Sequence, residues 1–368
     1  MLIASREPVT GSRLPASTPA HAPLAAVYRG SVLESLHSGS VAVVDRDGTL
    51  LFAAGDPWHL TATRSALKPF QAIPFVARGG AARFGYSDAH VALLCASHSG
   101  EPRHVARVSE MLARAGNGAE DLQCGSHAPL FYDVNGEVPP PPPYSPLAHN
   151  CSGKHAGMLA FCTLCGARKD EYLDPAHEVQ RSIRAAVAHA LDTAEADLVR
   201  CTDGCSAPNY AVPLARLALG FARLASDEDD PMYGDALRRL ARAMTAHPEM
   251  VSGEGRNDLA YMSAGAGDWV AKTGAEGVQG IGIRSKGLGI AIKVADGAKR
   301  GLHPATVAVL DQLGVLDEAR RRALAAWREP LVTNYRGVVT GQVHPVVDLQ
   351  RIQELDRGRM QSSSGDRG

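Results

Sequence analysis

The chain has 368 residues, enough for one large domain or two modest ones. Its 45% hydrophobic and 21% charged residues describe an ordinary globular composition, and no apolar run approaches the roughly 18 residues of a membrane span. A formal net charge of -1 gives no support for a nucleic-acid or anionic-membrane surface, which would need a basic excess. The basic residues are unevenly divided, with seven lysines against 31 arginines, so each lysine is worth a question.

Residues 1 to about 23 contain no apolar segment behind a basic start, which argues against a secretory signal. Their Pro, Ser, Thr and Ala content predicts a flexible tail. Residues 24–37 and 40–54 are extended patterns, and the turn Asp45–Gly48 predicts a hairpin. Thr61–Arg64 is extended and runs into an apolar helical pattern. Helices are then expected at Asp88–Ala96, Arg103–Arg114, Lys154–Leu164, Pro175–Leu191, Pro213–Leu224 and Pro231–Ala246. Pro139–Pro143 reads as a stiff surface connection. Strand patterns return at Trp269–Thr273, Val278–Arg284 and Leu288–Val294, before helices at about His303–Leu313 and Asp317–Trp327. The end, from about residue 350, reads as a second flexible tail. Strands at both ends with helices between predict an α/β fold of the α+β type. An antiparallel sheet is built from both chain ends, with a helical subdomain inserted. The expected organisation is a tail over 1–23, one domain over 24–349 and a tail over 350–368. Within the domain, sheet is expected at about 24–60 and 265–330 and helix at about 61–264.

Ser65 and Lys68 form an S-x-x-K where the extended segment meets the helix. Residues i and i+3 share one face of a first helical turn, so the two side chains can meet. A serine hydroxyl needs a base before it can attack, and a lysine can be that base only when burial or neighbouring cations lower its pKa. Arginine cannot serve. A helix start also offers backbone N–H groups to an oxyanion. The plain alternative is a capping serine with a surface lysine one turn on. Lys272-Thr273-Gly274 ends a strand pattern, and S-x-x-K with K-T-G is the pairing of serine β-lactamases and penicillin-binding proteins. Between them, Ser97 lies in Cys95-Ala96-Ser97-His98-Ser99-Gly100-Glu101, where it could relay a proton or simply belong to a helix end. His98, Glu101 and His104 do not have the order of a helical metal motif.

Seven cysteines without an export signal suggest free thiols in a reducing cytoplasm. His149–His155 and Cys201–Ser206 are polar clusters around cysteines. Cys151 and Cys205, with Asp203 and His155, are ligand types that zinc takes, although strong paired spacing is missing. Buried thiols at loop–helix junctions are the alternative. Cys162 and Cys165 have a redox spacing but lie inside an apolar helix, where core packing is favoured.

Five segments together resemble one family: Arg64–Lys68, Cys95–Glu101, His149–Gly157, Asp203–Asn209 and Lys272–Gly274. They are similar, in order and local spacing, to L-asparaginases of the Rhizobium etli type, also called class 3 or asparaginase II, over about residues 25–345. The resemblance implies a fold like that of serine β-lactamases and glutaminases. It implies hydrolysis of L-asparagine to L-aspartate and ammonia. Ser65 would be the nucleophile and Lys68 its base, with Ser97 and Lys272 as a second Ser-Lys pair. It further implies zinc held by Cys151, Lys154 and Cys205, with Asp203 as a further ligand or partner. Arg64 and His155 would help hold the substrate carboxylate, and the protein would be a homodimer. A β-lactamase or D,D-peptidase, a glutaminase-type hydrolase and a non-catalytic zinc or thiol sensor are the competing readings. The β-lactamase reading lacks its S-D-N element, and the sensor reading leaves Ser65, Lys68 and Lys272 without a purpose.

Overall fold

The computed structural model describes residues 19–352. The expected tails therefore fall mostly outside the described residues. The strands are β1 (Ala22–Arg29), β2 (Val32–Asp45), β3 (Leu50–Ala54), β4 (Leu60–Ala62), β5 (Val199–Thr202), β6 (Pro208–Pro213), β7 (Trp269–Gly274), β8 (Val278–Ile283), β9 (Leu288–Val294), β10 (Leu331–Thr333), β11 (Val339–Pro345) and β12 (Gln350–Arg351).

The main sheet is antiparallel and runs β10-β11-β1-β2-β9-β8-β7, with β3 paired to both β2 and β12. The two ends of the chain thus interleave: β1 lies between β2 and β11, and β2 between β1 and β9. The mixed α/β class with an antiparallel sheet built from both ends agrees with the sequence pattern. In β2, residues 39–44 are buried without alternation, and so is the whole of β8. Continuous burial means that both faces of the central strands are covered. The helices Leu214–Leu224 and Lys299–Gln312 pack on this sheet. Glycines of β8 and β9 let the Leu214–Leu224 helix come close: a Cβ on Gly289 would lie 1.9 Å from the Ala218 carbonyl oxygen.

Several expectations need correction. Ser65 and Lys68 do not share the first turn of one α-helix. Ser65 sits in a 3₁₀ turn, Arg64–Leu67, and Lys68 opens the α-helix Lys68–Ala77. Among the described residues the Lys68 amine donates to Ser97 and to the Ala96 carbonyl rather than to Ser65. The stretch expected to be helical contains a second sheet, β4-β6-β5. The helix expected from Pro231 begins only at Ala236. Strands β10 and β11 extend the main sheet past residue 330, and β12 falls in the expected C-terminal tail.

Candidate active site

The turn carrying Ser65 is set by its neighbours. Arg64 adopts a left-handed conformation, φ +49°, which a side chain larger than glycine takes only where surroundings enforce it. The enforcing group is Asn209, buried in β6. Its Oδ1 accepts hydrogen bonds from Thr63 Oγ1 (3.0 Å), Arg64 N (3.1 Å) and Tyr210 N (3.0 Å), and its Nδ2 donates to the Arg64 carbonyl (3.0 Å). On the other side, β7 ends flat against the turn. A Cβ on Gly274 would lie 2.7 Å from the Thr63 carbonyl oxygen, so the glycine of K-T-G is there to let strand and turn touch.

Four motif side chains converge here. Lys68 is fully buried, and its Nζ donates to Ser97 Oγ (2.9 Å) and to the Ala96 carbonyl (2.5 Å). Lys272, also fully buried, donates to the Thr273 carbonyl (2.7 Å) and faces Asp258 Oδ2 at 3.3 Å. Asp258 has no exposed surface and also accepts the Thr273 N–H at 3.0 Å. Burial, the Lys68 charge and the Arg256 charge push the Lys272 amine down to about 8, against Asp258. Ser65 and Ser97 open into a cavity of about 300 Å³ whose wall includes Thr273 and Gly274. A larger groove of about 580 Å³ lies elsewhere, along Arg46 and Asp230, and has none of this chemistry.

A second cluster is centred on sulfur. Cys151 immediately precedes the helix Ser152–Cys165, and Lys154 lies in its first turn. Gly153 lets this helix abut the preceding layer, since a Cβ there would meet the Leu93 carbonyl oxygen at 2.4 Å. Lys154 Nζ donates to Cys205 Sγ at 3.0 Å. The neighbouring Cys151 thiol, with Lys154 and His155, holds the Cys205 thiol far below its ordinary value despite burial. Cys151 is pushed up correspondingly, by its nearness to Cys205 and by burial. Burial opposes the charge on Lys154, but Cys205, Cys151 and Asp203 outweigh it and raise the amine. Among the described residues, no three His, Cys, Asp or Glu side chains converge closely enough to hold a metal unaided. Two sulfurs and one amine do converge, and thiolate with nitrogen is a donor set that suits zinc. The set fits provided Lys154 surrenders its proton to the metal.

Arg64 donates from Nε to Asp203 Oδ1 at 2.8 Å, so its charge is already paired. His155 is fully buried; its Nδ1 lies 2.6 Å from the Tyr172 hydroxyl and its Nε2 has no hydrogen-bond partner. The cavity wall beside Ser65 is lined by neither Arg64 nor His155. His98 and His104 spend both ring nitrogens on Gly100 N with Ser152 Oγ, and on Glu101 N with the Glu249 carbonyl. All seven cysteines are free, with Cys162 buried in the last turn of its helix and Cys165 half-buried. Asn209, Arg256 and Asp258 are missed as functional candidates by sequence reasoning. Asn209 lies in a quoted motif without an assigned role, and Arg256 and Asp258 stand in no recognisable spacing.

A serine held in a forced turn, backed by two buried lysines and facing a cavity, is an arrangement for acyl transfer. The profile of the L-asparaginase II family matches residues 25–345, and the chain belongs to that family. It is accordingly an amidohydrolase. No curated protein matches. Among solved structures, a β-lactamase from Mycobacterium bovis is 17% identical over 74% of this chain and 94% of its own, with a TM-score of 0.38. Mglu in its native form is 17% identical over 76% of this chain and 65% of its own, with a TM-score of 0.35.

Proposed function

We propose that this protein hydrolyses L-asparagine to L-aspartate and ammonia through an ester on Ser65. The observation that carries this reading is that Ser65 and Ser97 open into one cavity, with the buried Lys68 hydrogen-bonded to Ser97 and the buried Lys272 preceding Thr273 and Gly274 of the same cavity wall. Ser65 Oγ attacks the side-chain amide carbon while the Lys68 amine takes its proton. The tetrahedral species collapses, the C–N bond breaks, and the nitrogen leaves as ammonia carrying a proton from the lysine pair. Water then attacks the β-aspartyl ester, gives up a proton to the same pair, and Ser65 recovers its hydrogen. Ser97, hydrogen-bonded to Lys68, would relay a proton from that lysine towards Lys272. An amine pushed down to about 8 exchanges protons readily near neutrality, which guanidinium cannot do.

We also propose zinc at Cys151, Lys154 and Cys205, with Asp203 as a further ligand or partner; when bound it would supply Lewis-acid polarisation. This chain's own contribution there is to keep the Cys205 thiol ionised and to hold Asp203 by its pair with Arg64. A homodimer, which the family likeness implies, and a reducing cytoplasm, which the free thiols suggest, are part of the same reading.

The test is ammonia release over a panel of asparagine, glutamine and simple amides, with and without added zinc and a chelator. Asparagine should lead the panel. A methylene is worth only roughly 1–3 kcal/mol in a pocket, so glutamine should trail by about 10- to 200-fold rather than be refused. Equal or better turnover of glutamine, or none of any amide, contradicts the reading.

A further inference from the structure

The charges around the cavity beside Ser65 are one-sided. Arg256 and Lys299 line it, and among the described residues no aspartate or glutamate does. Arg256 Nη1 donates to the Ser97 carbonyl at 2.6 Å, which anchors the guanidinium beside the reactive serines. No carboxylate of the described residues lies within ion-pair distance of it; the nearby Asp258 is turned to Lys272 and Thr273. Lys299 stands exposed at the start of its helix. The polar groups that remain in the wall are neutral, with Asn150 and Asn257 foremost.

We propose that the cavity recognises its substrate by a carboxylate, bound by Arg256 with Lys299, and makes no charged contact with the α-ammonium group. The substrate class is then ω-amides of dicarboxylic acids in general, with asparagine as one member. This rests on the amidohydrolase reading above and names the group of the substrate that it selects. A guanidinium anchored on one nitrogen still presents a donor edge that matches a carboxylate. An ammonium in the same cavity meets only neutral acceptors and two repelling cations, so its contribution to binding is small.

Ammonia release is measured for L-asparagine, succinamate (the same molecule without the amine) and L-asparagine methyl ester, which keeps the amine and loses the carboxylate. Succinamate should be turned over within about tenfold of asparagine in kcat/KM, because only neutral hydrogen bonds are lost. The methyl ester should fall by about 100-fold, because a charged partner is lost. In Arg256→Gln the preference for asparagine over its ester should shrink, mainly through KM. Lys299→Gln, at an exposed position, should shrink it less and keeps the test open if the arginine variant does not fold. Release from asparagine with succinamate refused, or with the ester accepted equally, overturns the inference and leaves the asparaginase reading standing. An equal fall on both substrates in Arg256→Gln also overturns it, since that is the mark of a merely structural bond to Ser97. No release from any of the three overturns both.

Discussion

Lys272 and Lys154 are both buried beside reactive groups, yet their amines are driven in opposite directions. Lys272 shares its surroundings with Lys68 and Arg256, and its amine is pushed down to about 8. Lys154 lies among Cys205, Cys151 and Asp203, and its amine is raised although burial works against the charge. Burial is common to the two; the sign of the neighbours decides between them. The Ser65 side is a place where an amine can exchange protons, and the sulfur side is a place where a positive charge is required.

This contrast can be broken by substitution. Lys68→Arg keeps a cation and removes basicity. On the Ser65 side it should cost about 10²- to 10⁴-fold in kcat, close to the loss in Lys68→Ala, as read by initial rates of ammonia release. A variant that keeps most of its activity would show that charge alone suffices there. On the sulfur side, Cys205→Ser removes the thiolate and should leave the purified protein without bound zinc while its circular dichroism is unchanged; metal analysis reads the difference. Undiminished zinc would move the metal elsewhere.

Two smaller effects sharpen the comparison. Gly274→Ala drives a methyl into the Thr63 carbonyl of the nucleophile turn. The displacement should cost about 1–3 kcal/mol of stability in denaturant unfolding, and proportionately more activity than stability. The smallest effect is in pH dependence. A proton-accepting Lys272 works in its neutral form, so kcat/KM should rise as pH passes about 8. Asp258 opposes the downward shift, so its replacement in Asp258→Asn removes that opposition and should move the limb to lower pH. A limb that stays in place, or moves up, separates the limb from Lys272.

The parts of the fold legible in the sequence are those with strong periodicity or turn chemistry. Asp45–Gly48 joins β2 to β3, and Val179, Ile183 and Val187 form the buried face of the helix Glu178–Ala190. The second sheet escaped notice because β6 begins and ends on proline, which reads as helix punctuation, and β5 is only four residues long. Strands β10 and β11 carry Asn, Gly and Pro around a turn and have little alternation. In the site, Ser65, Lys68, Ser97 and Lys272 were visible because each stands in a short motif. Asn209 and Arg256 act through contacts made over long sequence separations, 145 residues to Arg64 and 159 to Ser97, and Asp258 through contacts with the following strand; no local pattern announces such contacts.

The central claim is that Ser65 carries the acyl group, and peptide mapping by mass spectrometry of acid-quenched turnover tests it most directly. The expected result is a β-aspartyl ester on the peptide containing Ser65 and absent from Ser65→Ala. An ester on Ser97 or Thr273, or a thioester on Cys205, would contradict it.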